Sequence, residues 1–113
     1  MPSRTIFTDG SATPITLSVN EVCGHRITTI IDIDGAELPT IQSNFNNLQI
    51  GTNASLAGTI VNVTTTAMKV TPAGNSEVDY TLKGSGPDLP DSDNQDFNAA
   101  GDPISHLMTY IMF

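Results

Sequence analysis

The chain has 113 residues, one cysteine and a formal net charge of −8, from twelve acidic and four basic side chains. That length fits one domain with a core of its own, and a lone cysteine, Cys23, excludes an internal disulfide and a cysteine-based zinc site. The charge balance argues against nucleic acid and against anionic membrane surfaces, since both call for clustered Lys and Arg; it is compatible with cations or neutral ligands.

The opening "MPSRTIFTDG" has no apolar stretch of the signal-peptide kind. The expectation is a protein made in the cytoplasm that is then exported or carried on a particle surface. No apolar run of about 18 residues occurs, so no membrane insertion is expected.

"ITTIIDI" places Ile27, Thr29, Ile31 and Ile33 on one face of a strand and Arg26, Thr28, Ile30 and Asp32 on the other. Asp34-Gly35 then reads as a turn. "GTIVNVTTTAMKV" is a long strand, or two joined by a bend, and "TPAGNS" is the turn after it. "EVDYTLK" alternates, with Val78, Tyr80 and Leu82 inward and Glu77, Asp79, Thr81 and Lys83 outward. The sequons at Asn53 and Asn62 are of the sort a Thr-rich chain produces by chance, and glycosylation is not expected.

The last residues, "SHLMTYIMF", put Leu107, Ile111 and Phe113 on one face and Met108, Tyr110 and Met112 on the other. A strand apolar on both faces is covered on both, either inside a sandwich or by another subunit. The latter predicts a homo-oligomer formed through the C-terminal strand. The total is an all-β chain, an antiparallel β-sandwich of about eight or nine short strands, one domain over 1–113 with a long acidic loop at about 84–104.

No enzyme is expected. Cys23 and His25 share one turn, and a nucleophile pair needs a third group to orient the base. His106 reads as a strand-end residue. There is no G-x-S-x-G elbow, no HExxH and no glycine-rich phosphate loop opening a helix.

The acidic stretch "DLPDSDNQDFNAAGD" is the best candidate site, with five aspartates in fifteen residues. Asp91, Asp93, Asn94, Asp96, Asn98 and Asp102 supply the oxygen ligands that calcium takes. It is a poor EF-hand: counting from Asp91, the glycine position is Asp96 and position 12 is Asp102 rather than Glu. A solvated acidic loop and a metal loop both remain open on local pattern.

Three stretches resemble the LecB-type bacterial lectins, which bind fucose and mannose through two adjacent calcium ions. "IFTDGSATPITLSVN" is similar to the family's opening strand pair, ending at a calcium-ligating Asn that matches Asn20. "NNLQIGT" is similar to an N-N-x-x-I-G-T segment, and "DNQDFNAA" to the D-x-D-[YF]-N-D-A calcium loop. The resemblance implies a carbohydrate-binding module holding one or two calcium ions with Asn20, Asp91, Asp93, Asn94, Asp96, Asn98 and Asp102. It puts Glu21, Val22, Cys23, Asp93 and Asp96 against the sugar, by position only. The departures are specific: the final loop Asp is Ala99, Asp102 on a short insertion is its substitute, and Phe113 stands where the family has a small terminal Gly. The alternative is a structural β-sandwich subunit of a phage or virus-like assembly, a capsid, decoration or tail component, without sugar or metal site.

Overall fold

A computed structural model describes residues 3–113. In chain order the elements are β1 (Ser3–Ile6), β2 (Pro14–Glu21), β3 (Arg26–Ile33), β4 (Ala36–Glu37), β5 (Phe45–Thr52), α1 (Asn53–Leu56), β6 (Ile60–Met68), β7 (Asn75–Lys83), β8 (Leu89–Asp96) and β9 (Ile104–Met112). They build a five-stranded sheet, β1-β9-β6-β3-β4, and a four-stranded sheet, β5-β2-β7-β8. The two pack face to face as an all-β sandwich. Among the described residues every strand pairing is antiparallel except β1 with β9.

The period-2 pattern explains the packing. Ile27 and Ile31 of β3, Val61 and Val63 of β6, and Met108, Tyr110 and Met112 of β9 face inward and are buried. They meet Ile15, Leu17 and Val19 of β2 and Val78, Tyr80 and Leu82 of β7 across the interface. Burying each large apolar side chain contributes about 1.5–3 kcal/mol, which sets these strands' register against a one-residue slip. The Asp34-Gly35 turn has both residues at positive φ, 51° and 90°, as a two-residue hairpin requires. The pairing of β2 with β5 is irregular, and Asn47 sits there at φ 55° with its N–H on Ser18 Oγ.

Asn53 opens α1 and is fully buried. Its side-chain amide donates to the Thr13 and Gly84 carbonyls at 3.0 and 2.9 Å, and its Oδ1 accepts from Asp9 N. The first sequon is thus a joint between three connections.

The acidic segment departs from the loop expected at 84–104. Residues 89–96 form β8, paired with β7 from Leu82–Leu89 to Asn75–Asp96. Left unpaired, the outer edge of β7 would expose a row of N–H and C=O groups, and β8 satisfies them. The irregular connections shrink to 84–88 and 97–103.

Tyr80 and Tyr110 are wholly buried, and neither hydroxyl has a hydrogen-bond partner among the described residues. Burial pushes both phenols well above their ordinary range. A pKa raised in the folded state leaves stability intact below the unfolded value, about 10, and removes it as pH climbs beyond. Two such groups cost up to about 2.7 kcal/mol per pH unit there. The expected outcome is that tyrosinate absorbance and loss of β-sheet circular dichroism rise together, in one transition above about pH 10. Tyrosine ionisation in a still-folded protein would contradict it.

Candidate functional site

β8 sorts the acidic residues by parity. Asp91, Asp93 and Gln95 lean toward the other sheet, whereas Ser92, Asn94 and Asp96 face out. Asp91 is taken by Arg4 of β1 in a two-pronged ion pair, Nε to Oδ2 at 2.7 Å and Nη2 to Oδ1 at 3.0 Å. That hydrogen bond pushes the Arg4 guanidinium further up from its already high range. The pair clips the edge of one sheet to the edge of the other.

Asp93 begins a deeper chain. Its Oδ2 lies 2.8 Å from His106 Nδ1 and also accepts from Gln95 Nε2. His106 Nε2 lies 3.0 Å from Ser76 Oγ, and Ser76 donates to Glu21 Oε2 at 2.8 Å. Glu21 Oε1 in turn accepts the N–H groups of Cys23 and His25. Four strands, β2, β7, β8 and β9, are joined by this chain. Its order, Ser-His-Asp, is that of a catalytic triad, but attack by serine needs open approach to Oγ. Ser76 and His106 are both 0 % exposed, and the serine proton points to Glu21. What the geometry does is satisfy buried polar groups mutually, which rigidifies the end of the sandwich.

His25, at the β2–β3 turn, is buried. Its Nδ1 accepts from Val70 N, so Nε2 carries the proton that goes to the Asn75 carbonyl at 3.0 Å. Phe97 packs edge-on against the ring at 4.8 Å between centroids. Thr71 Oγ1 donates to the Cys23 carbonyl, and Phe97 N to the Gly74 carbonyl. The β2–β3, β6–β7 and β8–β9 connections therefore meet at one end.

The expected calcium ligands occupy several places. Asn20 is on the outer face of the four-stranded sheet, its Nδ2 on Asn46 Oδ1, in a row with Asp79 and Ser92. β7 separates it from β8, a gap of roughly 10 Å at the usual strand spacing. Asn94 accepts from Asn75 Nδ2, and Asp96 is exposed beside it. Asn98 and Asp102 close on each other, Asn98 Nδ2 to Asp102 Oδ2 and Asp102 N to Asn98 Oδ1. Ala99 is exposed in that turn.

Two adjacent calcium ions need carboxylates converging from one side. Here Asp91 and Asp93 are committed inward and Asn94 and Asp96 point outward, so this donor set does not fit such a pair. Among the described residues no group of three or more His, Cys, Asp or Glu side chains is placed to hold a metal ion. The residues expected against a sugar are likewise divided: Glu21 and Asp93 are in the internal chain, while Val22, Cys23 and Asp96 lie at the loop end. Arg4, Ser76 and His106 were not singled out as site residues by their sequence context. The only signal for His106 was its inward parity with Met108, Tyr110 and Met112.

Comparison with family models, with curated proteins and with solved structures finds no match.

Proposed function

We propose that this is a non-enzymatic structural subunit that works by self-association, as a capsid, decoration or tail component does. The observation that carries the reading is an uncovered apolar patch around the end of β9. Phe7 and Phe113 stack at 5.8 Å while remaining 75 % and 60 % exposed, and Ile60, 46 % exposed, lies next to Ile111 on the same face. Exposed aromatics in a cluster cost nothing only if something covers them. On a chain of net charge −8, most of the rest of the surface repels a second copy.

Sedimentation equilibrium tests it. The expected result is a mass above the 11.9 kDa monomer that rises with concentration, unchanged by a calcium chelator. A mass fixed at 11.9 kDa would refute it.

Carbohydrate binding, with calcium as cofactor, is the second reading. Its support is the convergence of Val22, Cys23, Asp96, Asn98 and Asp102 on one end of the sandwich. The readings separate at Asp96→Ala. A ligand-linked protein gains melting temperature with calcium and the variant loses that gain. A structural subunit gains nothing, and the variant melts as the parent does. Fucose or mannose binding detected by calorimetry in millimolar calcium would favour the lectin reading.

A further inference from the structure

We infer that the outer face of the five-stranded sheet is a self-complementary interface, on which two copies pack face to face about a two-fold axis with their strands antiparallel. This rests on the self-association reading and adds to it a contact apart from the Phe7–Phe113 patch.

Pairing register lays the outward side chains in rows. From the loop end they run Arg26–Met68, Thr28–Thr66–Ser105, Ile30–Thr64–Leu107, Asp32–Asn62–Thr109 and then Ile60–Ile111–Thr5. Three of the four outward positions on β6 between Met68 and the far end are Asn or Thr, with apolar Ile60 closing the row. The charged groups on this face are Arg26 and Asp32 on β3 and Glu37 opposite Asp32 on β4. By contrast Glu77, Asp79, Asp88, Asp91, Asp93 and Asp96, half of the twelve acidic residues, belong to β7, β8 and the link between them. A copy of like charge meets least repulsion on the five-stranded sheet.

The few charges there also choose the orientation. Arg26 and Asp32 sit near opposite ends of β3. A two-fold axis lying across the strands at the level of Thr29 sets Arg26 of one copy against Asp32 and Glu37 of the other, twice. Thr29 pairs with Thr65, so the same axis places Thr64 over Thr66 and Asn62 over Met68. An axis running along β3 would instead oppose Arg26 to Arg26. Such an isologous contact closes on itself.

Its size sets its strength. The three long strands β9, β6 and β3, at about 4.8 Å spacing and with eight residues at about 3.3 Å, cover roughly 400 Å² per copy. The total, roughly 800 Å², is below the lower bound of roughly 1,000 Å² for a stable specific interface, so a weak, concentration-dependent dimer is expected rather than an obligate one.

Sedimentation equilibrium of three single variants tests it, with circular dichroism melts to establish folding. Thr64→Asp puts carboxylates near the axis and should weaken the dimer at least about tenfold. Arg26→Glu, at an exposed strand end, should weaken it similarly. Thr81→Asp, on the outer face of the four-stranded sheet, should leave it unchanged. A monomeric parent would overturn both the self-association reading and this interface. A self-associating parent unaffected by Thr64→Asp and Arg26→Glu would overturn this interface alone.

Discussion

Replacing His106 with leucine is expected to remove about 2–4 kcal/mol of stability, a large share of the 5–15 kcal/mol a domain commands. The ring is wholly buried between two oxygens, Asp93 Oδ2 at 2.8 Å and Ser76 Oγ at 3.0 Å. Leucine fills the volume but removes one hydrogen-bond partner from each oxygen. Asp93 retains Gln95 and about 18 % side-chain exposure, which is why the loss falls below that of a fully enclosed pair. Ser76 keeps its bond to Glu21, so the damage concentrates on the β8–β9 contact. A double-mutant cycle with Asp93→Asn separates this from packing: urea unfolding should show a coupling of at least about 1 kcal/mol. Additive losses would mean that His106 acts by shape alone.

Gly84→Ala is expected to be at least as severe. A Cβ at Gly84 would lie 2.0 Å from the Pro14 carbonyl oxygen, and the residue stands at φ 108°. The obstacle is backbone, at the start of β2, and cannot swing aside. The same Gly84 carbonyl receives the buried Asn53 amide, so any shift also breaks that joint. A loss above about 3 kcal/mol is expected, from steric overlap added to a strained backbone. Gly86→Ala is the comparison: φ 126° but nothing within 4 Å, so it pays strain alone, about 1–2 kcal/mol. Equal melting temperatures for the two variants would contradict the close approach at Pro14.

The parts legible in the sequence are those that depend on alternation. The faces assigned to residues 26–33, 78–83 and 107–112 are the faces observed, and so is the Asp34-Gly35 turn. The acidic segment was illegible because its structure comes from elsewhere. Arg4 lies 87 residues from the Asp91 it neutralises, and β7 supplies the hydrogen bonds that turn an aspartate-rich run into a strand. Composition alone reports a wet loop, although aspartates on β8 also suit a strand edge guarded against further pairing. Likewise Glu21, Ser76, Asp93 and His106 come from four separate strands, and no local spacing links them. The motif-like order Asp93…Asp96…Asn98 therefore says little about convergence in space, because strand parity sends Asp93 and Asp96 to opposite faces.

With Asp91 and Asp93 committed to structural contacts, the protein's working surface is the opposite one, the sparsely charged outer face of the five-stranded sheet. The most direct measurement is sedimentation equilibrium of the unmodified chain in chelator, from about 1 μM to about 1 mM, the range that interfaces of this size populate. The account predicts a mass climbing from 11.9 kDa toward twice that value or beyond, and falling back in Thr64→Asp. A parent that stays at 11.9 kDa throughout, or that associates only when calcium is restored, would contradict it.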